Sequence, residues 1–172
     1  MASAAAQVWL EGAHEDQDFL NTSLYPLGTQ RKGDQYDFSL GGLYALTPAD
    51  RFTGVLDHRE KFAQNVGNGY RRESLDVEYT RLLGLGMYAS LGTEFDFDRY
   101  DGADPTIDPS PRHDNLVVVD VLFGAPLTLM WKKLDGFSGT LAYQRYQAGS
   151  NIESYQYTND KITALITYQW GL

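Results

Sequence analysis

The side chains best placed by type and spacing to do chemistry are Glu94, Asp96 and Asp98, three carboxylates at every second residue of Leu91-Gly-Thr-Glu-Phe-Asp-Phe-Asp98. In an extended chain alternate residues share a face, so the three acids stand side by side. Like charges that close hinder one another's ionisation, a setting suited to general acid and base work or to cations. His113 and Asp114 follow across a Pro-rich segment and would complete an acid–base group with Asp96 and Asp98 if the fold brought them together. The competing reading is a row of acids lining a polar interior or rim, paired with Arg59, Lys61 or Arg81. His58 with Ser138 or Ser150 is a second conceivable set, hydrolytic in type. The segment Asp101-Gly-Ala-Asp-Pro-Thr-Ile-Asp108 spaces its aspartates loosely and lacks the closing Glu of an EF-hand, so it reads as a solvated loop. With no Gly-rich phosphate loop before a helix, no His-Glu-x-x-His and no cysteine, neither a cofactor nor a metal is expected.

The elements that must position these residues read as strands. The stretch Asp160 to Trp170 alternates apolar and polar side chains and ends on aromatics, with Ile162, Ala164, Ile166, Tyr168 and Trp170 on one face and Thr163, Leu165, Thr167 and Gln169 on the other. The same design recurs along the chain. Tyr36, Phe38, Leu40, Gly42, Tyr44 and Leu46 oppose Asp37, Ser39 and Gly41. After the turn Thr47-Pro-Ala-Asp50, Phe52, Gly54 and Leu56 oppose Thr53, Val55, Asp57, Arg59 and Lys61. Leu75, Val77 and Tyr79 oppose Asp76, Glu78 and Thr80, and Ala89, Leu91, Phe95 and Phe97 oppose Ser90, Gly92 and the three acids. A Val-rich strand from Asn115 to about Phe123 and one from Phe137 complete the set, and Leu127 to Trp131 could prolong the former beyond a kink at Pro126. Strand one, Gln7 to Leu20, is acidic in its middle and has the least certain phase. Residues 1–6 are expected to be a disordered start and 7–172 a single domain; Met1 to Gln7 lacks the basic start and apolar core of a signal peptide and reads as a mature or recombinant start.

Eight such strands, joined by connections that alternate long and short, predict an all-β, antiparallel up-and-down transmembrane barrel. Eight spans of about 10 residues place only about 80 in a bilayer, and the 172 residues leave ample chain for loops. No apolar run reaches the ~18 residues of a membrane helix. The mean hydropathy is −0.40, while 12 Tyr, 8 Phe and 3 Trp supply aromatics for interfacial girdles, for which Tyr36, Tyr44, Phe52, Tyr88, Phe97, Phe137, Tyr168 and Trp170 are the candidates. A net charge of −9 argues against nucleic acid as a partner. Lipid offers no hydrogen bonds to a free strand edge, so the last strand is expected to pair with strand one and close the wall.

The paired strands around Thr47 to Asp50, the run from Leu91 to Asp98, and Ser150 to Asp160 leading into Ile162 to Trp170 resemble a Gram-negative outer-membrane β-barrel protein. The resemblance covers nearly the whole chain, either to the small eight-stranded type or to a shortened barrel of porin or polysaccharide-export type. It implies residence in the bacterial outer membrane with short periplasmic turns and long extracellular loops, contact with the bilayer and lipopolysaccharide, and delivery by the outer-membrane insertion machinery. Tyr168 and Trp170 resemble the carboxy-terminal aromatic signal that this machinery reads, although Gly171 and Leu172 follow where that signal ordinarily ends. The acids with His113 and Asp114 look like the paired acids and Asp-His of omptin-type proteases, which have ten strands and a longer chain. Lipid A deacylases, also small barrels, show a local His-x-Ser, whereas Tyr146-Gln-Ala-Gly-Ser-Asn151 offers the serine alone.

The function expected from these residues is a structural, adhesive or envelope-interaction barrel. Its narrow, acidic lumen would be lined by Asp37, Asp57, Arg59, Lys61, Asp76, Glu78, Glu94, Asp96 and Asp98. Alternatives are a cation-preferring channel, an outer-membrane hydrolase and a soluble lipocalin-like binder.

Overall fold

In the computed structural model, residues 5–21, 23, 28–103 and 107–170 are described. They form one antiparallel sheet of eight strands in sequence order: β1 (Ala5–Gln17), β2 (Gly33–Ala45), β3 (Asp50–Ala63), β4 (Tyr70–Gly84), β5 (Met87–Tyr100), β6 (His113–Pro126), β7 (Phe137–Ser150) and β8 (Tyr157–Tyr168). No α-helix occurs among the described residues. The strands run longer than their clearest alternation: Tyr70 to Ser74 belong to β4, Gln147 to Ser150 to β7, and Ala5 and Ala6 open β1. Leu127 to Leu129 does not prolong β6. Beyond Pro126, which lacks the N–H a ladder needs, the chain makes two 3-10 turns, Leu127–Leu129 and Lys132–Leu134, before Gly136 (φ +79°) turns it into β7.

The tight connections lie at one end of the sheet. Thr47 Oγ1 accepts from the Ala49 and Asp50 amides and donates to the Asp50 carboxylate, closing the β2–β3 turn. There, ahead of Phe52, hydrogen bonds from Thr47 and then Tyr79 hold the Asp50 carboxyl below the usual carboxylate range. The β4–β5 turn passes through three left-handed residues, Gly84, Leu85 and Gly86. The opposite end carries residues 18–32, 64–69, 101–112 and 151–156. Of these only the first and third are longer than the 127–136 connection at the turn end, so long and short connections alternate less strictly than the sequence predicts.

Strict register carries the alternation across the sheet. The row Leu10, Leu40, Leu56, Leu75, Phe95 and Val117 lies on one face, each residue opposite the next. That face is apolar and open: Phe38, Leu40, Leu56, Leu91, Val121, Leu141, Ile162 and Ile166 are all exposed. The opposite face holds the interior, and it is polar. Its most buried residues are Gln35, Lys61, Ser90, Asp96 and Asp98, with Val118 the only buried hydrophobic among the described residues. This inverts the arrangement by which a water-soluble sheet hides its apolar side.

The same row continues through Gln147 to Thr158. It therefore starts in the middle of β1 and ends at the loop end of β8, while the apolar side chains of β7 and β8 (Leu141, Tyr143, Ile162, Ile166, Tyr168) lie further toward the turns. The apolar band is oblique to the hydrogen-bonded rows, as in a wall of tilted strands with accumulated stagger.

The expected closure is not observed. β8 pairs only with β7 and β1 only with β2, leaving an open sheet in which every residue of β8 is exposed. The pairing fixes the phase of β1: Val8 and Leu10 join the apolar face and Trp9 the polar one. The Trp9 indole folds back over Gly41 of β2, where a Cβ would stand 2.0 Å from its Cε2. Gly41→Val is expected to cost ~1–3 kcal/mol by overpacking against the indole, and Trp9→Ala to remove most of that cost; urea unfolding of both single variants and the double measures the coupling.

Candidate functional site

The polar face is the candidate site, and it has two halves. Toward the loop end, side chains of β1, β2 and β3 form a continuous ladder. Lys61 Nζ donates to Gln17 Oε1 (2.6 Å), Gln17 Nε2 to Gln35 Oε1 (3.2 Å), and Gln35 Nε2 to Asp37 Oδ2 (2.8 Å), while Arg59 Nε donates to the other Asp37 oxygen. Beside it Arg72 grips Asp98 with two parallel bonds, Nε to Oδ1 and Nη2 to Oδ2, both 2.6 Å, and its Nη1 lies 3.7 Å from Asp96. Such a fork is the strongest ion-pair geometry available to a carboxylate. The Oδ1 of Asp96, a residue only 3% exposed, finds no partner among the described residues.

In the middle of the strands the charge balance changes. Asp57, Asp76, Glu78, Glu94 and Asp120 have no cation within 4 Å among the described residues. Ser39 donates to Asp57, Thr80 donates to Glu78 (2.8 Å), and Asp120 lies over Gly92, where a Cβ would stand 2.6 Å from its carboxylate. A cavity of about 470 Å³ lies between the halves, lined by Asp37, Ser39, Arg59, Arg72, Asp76 and Glu94 among others.

The residues singled out in the sequence divide accordingly. Asp37, Asp57, Arg59, Lys61, Asp76, Glu78, Glu94, Asp96 and Asp98 share the polar face. The cations expected to neutralise the acids of β5 do not do so: Arg59 serves Asp37, Lys61 serves Gln17, and Arg81 lies 3.5 Å from Asp50 at the turn end. Arg72 takes that role. The apolar side of strand four becomes clear only at Leu75, but Arg72, Ser74, Asp76 and Glu78 share one phase, and that phase is the signal for Arg72.

The protease-like group is not assembled. Asp114 stands opposite Asp98 on the polar face, but His113 is opposite Arg99 and leaves from the other side of the sheet. His58 is likewise on the apolar side, just past Leu56, with Nδ1 2.8 Å from Glu73, whereas Ser138 and Ser150 face the polar side and bond to Thr167 and the Ile152 amide. No His–Ser pair exists there. Of the acidic loop, Asp108 caps a local turn by accepting from the Ser110 amide (2.8 Å), and residues 104–106 lie outside the described ones, as do Met1 to Ala4, Pro26, Gly171 and Leu172.

The aromatic set forms two rims on the apolar face with one exception. At the turn end Phe52 packs on Tyr79 (4.8 Å between centroids) and Phe137 on Tyr168 (4.5 Å), which meets Trp170 edge-on (5.3 Å). At the loop end Tyr36 contacts Phe62 and His14. At this end ion pairs are interleaved with the aromatics: His58–Glu73 lies just past Leu56, Arg71–Glu60 in the row of Tyr36, and His14 reaches from that row to Asp34. Tyr88 is the exception: its ring lies on the polar face over Gly124, within 2.2 Å of where a Cβ would be, because only glycine leaves room for it there.

Comparison with protein-family models, curated proteins and solved structures returns no match, so the site is interpreted from its own geometry. Arg72→Met leaves Asp96 and Asp98 without their cation. Because about a third of the Arg72 side chain reaches solvent, the expected loss is ~2–3 kcal/mol, below the full cost of an orphaned buried charge. Denaturant titration should show part of it recovered on adding Asp98→Asn.

Proposed function

We propose that this chain is the wall of a bacterial outer-membrane β-barrel, with a structural or envelope-interaction role and without turnover. The observation that carries the reading is the segregation of the two faces: an exposed apolar band across all eight strands, rimmed by aromatics that are interleaved with ion pairs at the loop end, backs onto a polar interior. Water penalises so large an apolar surface, and lipid does not. In this reading Leu10, Leu40, Leu56, Leu75 and Val119 meet acyl chains, the rims sit at headgroup level, and the unpaired edges of β1 and β8 must find partners, either each other or further strands of a larger barrel. Tyr168 and Trp170 supply the insertion signal, and lipopolysaccharide and the insertion machinery are the partners. Folding the purified chain into maltoside micelles and running it unheated beside a boiled sample should give a heat-modifiable band with β-type circular dichroism. A chain that stays folded and monomeric in plain buffer would sink the proposal.

One observation favours transport as a second reading. The five mid-strand carboxylates without cations would attract cations along any water-filled path past the Arg72 clasp. Planar-bilayer recordings should then show discrete cation-selective steps that lose selectivity in Asp76→Asn/Glu94→Gln; silent bilayers exclude it.

A further inference from the structure

The loop end of the polar face carries a second, smaller cavity of about 260 Å³, whose charge is opposite to that of the chain. Its twelve lining residues include Arg31, Lys61 and Arg112 and no carboxylate, in a protein of net charge −9. The three cations come from separate segments, the 3-10 turn Gly28–Arg31, the end of β3 and the approach to β6, so the fold converges them against their mutual repulsion.

Lys61 and Arg31 have no carboxylate within 4 Å among the described residues, and Arg112 has one, Asp114. Lys61 is only 7% exposed, yet its ammonium spends one donor on the neutral Gln17 and has no carboxylate within 4 Å among the described residues. It shares the Phe19 ring with Arg31, the two cationic groups lying 5.1 and 5.2 Å from the centroid. The Arg112 guanidinium is clamped between the rings of Tyr100 (3.9 Å) and Tyr155 (4.1 Å). Its Nη2 donates to the Tyr100 hydroxyl, but its Nε, although 2.9 Å from Asp114 Oδ2, makes no hydrogen bond among the described residues, and the other Asp114 oxygen, Oδ1, is likewise buried without a partner. Stacking fixes the guanidinium plane, which removes the ordering cost of binding. A buried cation short of partners is costly unless an anion supplies them.

We propose that this cup binds the phosphate of a small phosphomonoester. A phosphomonoester carries nearly two negative charges at neutral pH and three strong acceptor oxygens, matching a lysine point charge and two guanidinium groups better than one carboxylate does. The volume lies just below the ~300–1,000 Å³ of ordinary ligand pockets, which restricts the carrier to a compact polar group. Lys61, Tyr70 and Tyr100 belong to the polar face, so the cup opens away from the apolar band and a soluble carrier reaches it more readily than a lipid headgroup. The inference does not depend on the membrane reading, because the cup is on the opposite face.

Isothermal titration calorimetry on the full chain, folded in uncharged maltoside micelles, tests it with glucose 6-phosphate, glucose and phosphatidic acid in mixed micelles. Glucose 6-phosphate should bind, glucose should not, and Lys61→Met and Arg112→Gln should each weaken binding at least tenfold, while Arg145→Gln on the other face leaves it unchanged. Binding of phosphatidic acid with the same variant losses would support the phosphomonoester site and assign its source to lipid. Absence of binding in both phosphate arms, or binding indifferent to Lys61 and Arg112, overturns the proposal. Arg31→Gln, an exposed side chain expected to cause the same tenfold loss, keeps the test decisive if Lys61→Met does not fold.

Discussion

The two-residue period of an extended chain, held in register across seven antiparallel pairings, is the constraint from which the rest of this structure follows. A slip of one residue at any pairing would move every side chain beyond it to the other face. Leu10, Leu40, Leu56, Leu75, Phe95 and Val117 are aligned only because no such slip occurs. The single irregularity lies beside the β4–β5 turn, between Leu82 and Gly84, where it no longer affects the faces.

Given that separation, the polar side becomes an interior that must satisfy itself. It does so by direct charge pairing, with Arg72 on Asp98 and Arg59 on Asp37, and by relayed amides, with Gln17 and Gln35 linking Lys61 to Asp37. Glycine supplies the remaining accommodation. Trp9, Tyr88 and Asp120 each lie across a neighbouring strand over Gly41, Gly124 and Gly92, where any Cβ would collide. These are the positions at which a curled sheet lets a large side chain lie flat against the backbone.

Charge is then distributed unevenly along the strands. On the polar face Arg59, Lys61, Arg72 and Arg112 lie toward the loop end, and the carboxylates without a cation within 4 Å lie in the middle of their strands. The net charge of the chain thus hides a cationic cup above an acidic floor, an asymmetry that composition cannot reveal. It arises because Arg31, Lys61, Arg72 and Arg112 all fall near the loop-end termini of their segments.

Strand number, the facing of β2 to β5 and of β8, and the row of acids were legible in the residues themselves, because alternation is a local signal that survives without knowledge of partners. The acids could be placed on one face, but not matched to cations. Which arginine reaches Asp98 depends on the registers between β3, β4 and β5, and no single strand encodes those. His113 illustrates the same limit: it is one residue from Asp114, yet the pleat sends it to the opposite face, and the apparent acid–base group dissolves. The phase of β1 was hidden by its acidic middle and is set instead by Gly41, which receives the Trp9 ring. The open seam is likewise a property of the assembled sheet, since edge pairing is a long-range contact that alternation along a strand does not specify. The sequence by itself determined two chemically opposite faces. The tertiary structure decided which charges meet on the polar one, where the cationic cup forms, and that the edges of β1 and β8 stay apart.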